Sequence, residues 1–136
     1  MARTAGCVDR LHFTGLLSDH EIVDVYNDSD LLLMPSEPQS ENFGVSACEA
    51  LACGVAVLTS DGVPVGRWAE QAGAGMRVST AGDEFIRAAI SLALEPDKLA
   101  AMGRNGRDLA QRQFDIRNTG TLWLDHLRDI TDTRKY

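Results

Sequence analysis

Two glutamates eight positions apart frame SENFGVSACEALACG, residues 40–54. Glu41 stands just ahead of the pair Phe43–Gly44, and Glu49 is followed by small residues ending in Cys53–Gly54. A helix opening near Gly44 offers unpaired N–H groups and partial positive charge at its start. Gly44 has no side chain to bar a phosphate, so an anion there would be held by the backbone alone. A carboxylate cannot bind phosphate but accepts well from sugar hydroxyls, and Glu41 can point across the same opening. Glu49, about the sixth helical residue, sits roughly 7–8 Å further along the axis at 1.5 Å per residue. That spacing suits a ligand with hydroxyls at both ends and phosphates between them, a nucleotide-sugar. Glu41 would then hold the sugar, the amides of Phe43, Gly44 and Val45 the diphosphate, and Glu49 the ribose. The same residues admit a plainer reading, in which Glu41 meets the helix dipole and Glu49 is a solvated helix residue.

The surrounding elements decide where this stretch sits. Leu11 and Phe13 alternate with His12 and Thr14 in RLHFTG, which predicts a short strand over residues 10–14. Ser18 and Glu21 form a capping box that should open a helix from Asp19 to about Asn27. The continuous apolar run Asp30–Pro35 reads as a strand buried on both faces, as in parallel sheets. A polar loop, Ser36–Asn42, then leads into a helix over Gly44–Cys53, with Gly54 suited to its C-terminal cap. Val55–Thr59 is a second buried strand, Ser60–Pro64 a turn, Val65–Gln71 a short helix and Ala74–Val78 a last strand. Three helices follow, over Asp83–Leu94, Pro96–Phe114 and Thr119–Ile130, making 83–130 a helical C-terminal part. Residues 1–9 are of mixed composition and expected to be loose. Alternating strands and helices predict an α/β fold, a Rossmann-like parallel sheet of about four strands with flanking helices. Ligands of open α/β sheets bind beyond the carboxyl ends of the strands. The loops at 36–43 and 60–65 meet that condition.

Composition sets outer limits. The 136 residues suit one domain, with 44% hydrophobic and 24% charged side chains and a formal net charge of −7. That acidity argues against a nucleic-acid partner. No apolar run approaches the roughly 20 residues of a membrane span, and the first residues lack the apolar stretch of a signal peptide. The expected location is the cytoplasm. Cys7, Cys48 and Cys53 are odd in number and lack paired spacing, so they read as reduced thiols, without a disulfide or zinc site. His12, His20 and His126 share no metal-ligand spacing. Arg67 reads as a surface residue, although it stands near enough to the 60–66 loop to reach a phosphate. Trp68 and Trp123 read as packing residues.

The run DLLLMPSEPQSENFGVSACEALACGVAVLTSDG resembles the core block of the retaining GT-B glycosyltransferases of family 4 (glycosyl transferases group 1). The match includes Pro35–Ser36, Glu41, Phe43–Gly44, Glu49–Ala50, Ala52 and Gly54, and extends over roughly residues 8–125. Leu11–Gly15 looks like the family's preceding strand, and AAMGRNGRDLAQRQF resembles a family packing helix. The resemblance implies the C-terminal, donor-binding domain, with a UDP-, GDP- or ADP-sugar as substrate, no cofactor and no metal. It implies contacts from Glu41 to donor sugar hydroxyls, from Glu49 to the ribose, and from Phe43, Gly44 and Val45 to sugar and phosphates. Ser36, Asn42 and Gly62 complete the expected substrate-binding set, and Glu41 stands nearest to a catalytic role.

Departures from the family pattern shape the expectation further. Asp61-Gly62-Val63-Pro64-Val65 stands where the family commonly has Gly-Gly-x-Pro-Glu, so Val65 replaces an acceptor. The family's phosphate-neutralising Arg and Lys have no match in residues 1–9, and neither Arg3 nor Arg10 fits that loop. The acceptor-binding domain has no match either, so the expected isolated chain is inactive and its acceptor unnamed. With a family strand order of 3-2-1-4-5-6, strand 10–14 would lack a neighbour and strand 30–34 would have an open apolar edge. Such an edge invites self-association, and a missing domain would be the route to any peripheral membrane contact. The alternative function is a non-catalytic nucleotide-sugar or nucleotide-binding module that assembles with a separate chain. A receiver-type regulatory domain needs an acidic cluster at the strand ends, where Asp61 stands alone.

Overall fold

A computed structural model describes residues 6, 8–37, 40–79 and 82–132. Cys7 and most of the 1–9 segment lie outside the described residues. The first helix, α1, spans Asp19–Asn27 as its capping box predicts. Glu21 reaches back to accept from the Ser18 N–H at 2.8 Å and from its hydroxyl at 2.6 Å, and these bonds hold its carboxyl below the usual pKa.

Strand β1, Leu31–Met34, leads to helix α2, Val45–Cys53, strand β2, Ala56–Ser60, and helix α3, Val65–Gln71. Strand β3, Gly75–Val78, completes a three-stranded sheet in the order β1-β2-β3. Both pairings are parallel, with Leu33 opposite Leu58 and Leu58 opposite Met76. Helices α4, Asp83–Ala93, α5, Pro96–Gln113, and α6, Ile116–Asp132, follow.

Two apolar layers sandwich the central strand. Val57 packs with Ala47, Ala50, Leu51, Val65 and Ala69 on one face, where α2 and α3 lie. Ala56 and Leu58 pack with Phe85 and Leu92 of α4 on the other. Every residue of β2 is buried, so its apolar run has the expected cause. Helix α5 serves both layers: Leu99 and Met102 join the α4 side, Leu109 and Ala110 the α2 side. It crosses just before β2, where a Cβ on Gly103 would fall 2.0 Å from the Gly54 carbonyl oxygen. A Cβ on Gly106 would meet Leu51 Cδ2 at 2.7 Å. The small residues of AAMGRNG are thus the condition for this crossing.

Four expectations need correction. The sheet has three strands among the described residues, not four. Residues 11–15 form no strand; a single 3-10 turn at Val8–Arg10 precedes them, and Phe13 is 87% exposed. Alternation alone does not make a strand: among the described residues β1 is an edge strand paired with β2 alone, and residues 11–15 do not pair with its open edge. For the same reason β1 is half-buried and not buried on both faces, with Leu33 48% exposed. Helix α6 begins three residues earlier than its periodicity suggested, because Asp115 accepts from the Arg117 N–H at 2.9 Å and caps it.

Two glycines on successive helices should respond in opposite ways. Gly103→Ala should destabilise the chain by about 2–3 kcal/mol, through overpacking against the Gly54 backbone. Gly120→Ala, in α6 with open space around it, should stabilise by about 0.5–1 kcal/mol through helix propensity. Urea unfolding of both variants checks the pair; equal effects would remove the crossing from its place at Gly103.

Candidate functional site

The carboxyl ends of β1 and β2 release the loops 35–44 and 61–64, and local contacts pull the two together. The Ser60 hydroxyl donates to the Ser36 carbonyl. A Cβ on Gly62 would sit 2.6 Å from the Ser36 carbonyl oxygen and 2.7 Å from the Glu37 carbonyl carbon, so only glycine lets these loops touch. The Val65 N–H donates to the Phe43 carbonyl at 3.0 Å. Gly44 has φ +98°, and a Cβ there would meet Val63 Cγ1 at 2.7 Å and Val65 Cγ1 at 2.8 Å.

Gly44, the expected first helical residue, is therefore the N-cap of α2, which begins one residue later at Val45, and it takes a left-handed conformation that favours glycine. Val65, where the family commonly has a glutamate, is fully buried against it. Its isopropyl group packs the two loops.

Glu41 Oε1 accepts from the Gly44 N–H at 2.9 Å and the Phe43 N–H at 3.3 Å. The carboxylate thus covers two amides that the spacing had set aside for an anion, and does not project across the opening. The next amides, of Val45 and Ser46, donate to no side chain or loop carbonyl among the described residues. Asn42 is exposed beside them.

Glu49 is the fifth residue of α2 and faces a different wall. Its Oε2 accepts from the Tyr26 hydroxyl at 3.3 Å, and the same hydroxyl lies 3.1 Å from the Ser46 carbonyl. Ile22, Val23, Tyr26, Glu49, Ala52 and Cys53 are among the residues lining a cleft of about 260 Å³ between α1 and α2. Burial, then the Glu49 charge, raises the Tyr26 pKa. Burial, then Glu49, pushes the Cys48 thiol up to about 11. Cys48 and Cys53 are free thiols, as expected.

Three aromatic rings back the Glu41 loop. Phe43 meets Trp68 edge-on at 6.3 Å and Phe114 edge-on at 6.2 Å, while Trp68 and Phe114 stack at 5.9 Å. Nothing in the sequence brings Phe114 to this loop; α5 does so by crossing the sheet. Sequence reasoning also missed Tyr26, which sits 23 positions from its partner Glu49. Asp61 is joined to Arg77 of β3 at 2.5 Å, and Arg77 also lies 3.5 Å from Glu70. Arg67 is exposed and pairs with no described residue. No group of His, Cys, Asp or Glu suited to a metal occurs among the described residues. His12, His20 and His126 are exposed.

Residues 1–109 match the family described as glycosyl transferases group 1. The chain belongs to that family. It is 35% identical over 114 residues to the D-inositol 3-phosphate glycosyltransferase of Gordonia bronchialis, covering 82% of this chain and 24% of that protein. It is 34% identical over 137 residues to the same-named enzyme of Rhodococcus jostii, covering 100% of this chain and 30% of that one. Among solved structures it resembles sucrose-phosphate synthase from Thermosynechococcus elongatus with a TM-score of 0.79 and 24% identity. That likeness covers 97% of this chain and 33% of that one, and it is one of fold. The α/β architecture is thus that of a GT-B glycosyltransferase. The chain spans about a quarter to a third of the length of these relatives.

The Tyr26–Glu49 contact makes a titration prediction. With Tyr136 changed to Phe, Tyr26 is the one remaining tyrosine, and its phenolate absorbance should appear above the ordinary value of 10.0. Glu49→Gln should lower that midpoint without returning it to 10.0, because burial, the larger cause, remains. The neutral phenol is the form the fold favours. Its contribution to stability is complete below the ordinary phenol pKa and is lost as pH rises through the folded value. A midpoint unmoved by Glu49→Gln would place the carboxylate away from the phenol.

Proposed function

We propose that this chain is the donor-binding part of a glycosyltransferase that moves a sugar from a UDP-, GDP- or ADP-sugar to an acceptor, with retention of anomeric configuration. The observation that carries this reading is the convergence of Glu41, the amides at the start of α2 and the loops bearing Ser36 and Gly62 at the strand ends. Family membership supports it, and retention follows from the family resemblance alone. The two D-inositol 3-phosphate glycosyltransferases act, by name, on an inositol phosphate; the acceptor of this chain is not assigned.

The geometry suggests how the donor is held. The diphosphate approaches the start of α2, where the helix dipole and the amides of Phe43, Gly44 and Val45 favour negative charge. Glu41 now holds two of those amides, and two anions cannot share them. The carboxylate is displaced, and one swing carries it to the sugar hydroxyls, which it can accept from. Glu49, one helical turn past Val45, takes ribose hydroxyls on the α1 side, in place of or beside the Tyr26 hydroxyl. Ser36, Asn42 and Gly62 line the approach. The helix end supplies positive potential for the phosphates. No cofactor or metal is invoked.

A second reading has an observation of its own. The open edge of β1 and the apolar side chains exposed on α6, among them Leu122 at 71% and Trp123 at 62%, favour a binding module completed by a separate chain.

Calorimetric titration of the chain with UDP-, GDP- and ADP-sugars tests the donor site. One of the three should bind, and Glu49→Ala should weaken it about tenfold, the loss of one or two hydrogen bonds to a charged acceptor. Binding that Glu49→Ala leaves unchanged would remove the ribose assignment. Sugar transfer by the chain alone would show that the donor part carries its own catalytic groups, against the inactivity proposed for it.

A further inference from the structure

We infer that Trp68 and Phe114 are positioning residues for the donor loop: their stacked rings hold Phe43, and through Phe43 they fix the backbone that carries Glu41. The inference rests on the donor reading above for its functional consequence, but its structural part stands on contacts alone.

Phe43 is at once a ring and a backbone segment. Its N–H and that of Gly44 hold Glu41 at 3.3 and 2.9 Å, and its carbonyl takes the Val65 N–H at 3.0 Å. Its side chain ends on two other rings, edge-on to both, at 6.3 Å from Trp68 and 6.2 Å from Phe114. Edge-to-face contacts at this separation are attractive and directional, because a ring's positive edge meets the negative face of its neighbour. The Trp68 and Phe114 planes are kept near-parallel by their own stack, at 5.9 Å and 19°, so a single orientation of Phe43 stands perpendicular to both.

Trp68 comes from α3 and Phe114 from the end of α5, so neither belongs to the loop they fix. Phe43 and Trp68 remain 39% and 42% exposed. Core burial accounts poorly for two large side chains left this open. Mutual orientation accounts for them better. The swing of Glu41 needs a loop that stays in place while its carboxylate leaves. The bond from Val65 and the Gly44 contact fix one side of Phe43; the rings fix the other.

The test compares Trp68→Ala, Trp68→Phe and, as a control away from the cluster, Trp123→Ala on α6. Amide hydrogen exchange followed by NMR needs no ligand. Trp68→Ala should speed exchange at Phe43 and Gly44 by about fivefold, the scale of one or two aromatic pairs, while Ala50 and Leu51 in the middle of α2 stay protected. Trp68→Phe, which keeps a ring, should restore most of the protection, and Trp123→Ala should leave it as in the parent chain. In titrations, Trp68→Ala should weaken binding of both the nucleotide-sugar and its nucleoside diphosphate, since the loosened Phe43 and Gly44 amides face the phosphates, and should narrow the extra affinity of the nucleotide-sugar that Glu41 supplies.

Unchanged exchange at Phe43 and Gly44 in Trp68→Ala would overturn the inference. So would a uniform rise across α2, or failure of Trp68→Phe to rescue, since either marks the ring as general packing. If the parent chain binds no nucleotide-sugar at all, the donor reading fails while the exchange comparison still decides the ring lock. If Trp68→Ala does not fold, Trp68→Leu replaces it, keeping apolar volume without a ring face.

Discussion

The approach of Gly44 to Val63 and Val65 is the contact on which the rest of the site depends. A side chain of any size at residue 44 would lie 2.7–2.8 Å from two valine methyls and would need a backbone conformation that L residues avoid. Because glycine stands there, the loop leaving β1 closes on the loop leaving β2 and the Phe43 carbonyl reaches the Val65 N–H. With that distance open, Glu41 would still precede a helix, but the helix start would no longer face Ser36 and Gly62. Val65 in place of the family's common glutamate fits this constraint. The position loses an acceptor and becomes a buried packing surface for the glycine.

That convergence is in turn set by the central strand. All five residues of β2 are buried, Val57 toward α2 and α3, Ala56 and Leu58 toward α4. Two apolar layers clamp it, and α5 ties the layers together by crossing at Gly103. Moving α5 outward by one methyl group would part Leu109 and Ala110 from the α2 layer and carry Phe114 away from Phe43. The small residues of α5 thus act at a distance on the ring cluster behind the donor loop.

Much of this was legible in the chain itself. The capping box at Ser18–Glu21 marked the start of α1 correctly, because a helix end with its own side-chain acceptors needs little from its surroundings. The apolar run at 55–59 announced a buried strand, and the two loops expected beyond strand carboxyl ends do leave β1 and β2 there. What failed was pattern without a partner. Residues 11–14 alternate as a strand should, yet a strand is defined by its neighbour, and they do not pair with the open edge of β1. The run at 31–34 looked doubly buried for the same reason. Glu41 lies beside the start of α2, but spacing could not say which of two uses its carboxylate would take, and it accepts from the amides. The Tyr26–Glu49 and Phe43–Phe114 contacts join residues 23 and 71 positions apart. Only the fold brings them together.

The exposed apolar side chains divide the molecule in a way that bears on function. Phe13, Leu16 and Leu33 lie before or along the free edge of the sheet, and Leu122, Trp123 and Leu127 lie on α6. The donor loop draws on neither group. Its fixed points are Val63, Val65 and Trp68 around α3, Phe114 at the end of α5 and the Ser36–Ser60 contact between the strand ends. All of these belong to the part of the chain built around the two packed layers. The exposed apolar side chains and the candidate site can therefore be separated by experiment, since substitutions on α6 alter the first without touching the second. The arrangement of Glu41, the α2 amides and Glu49 is a property of this chain's own packing, whatever comes to cover β1 and α6.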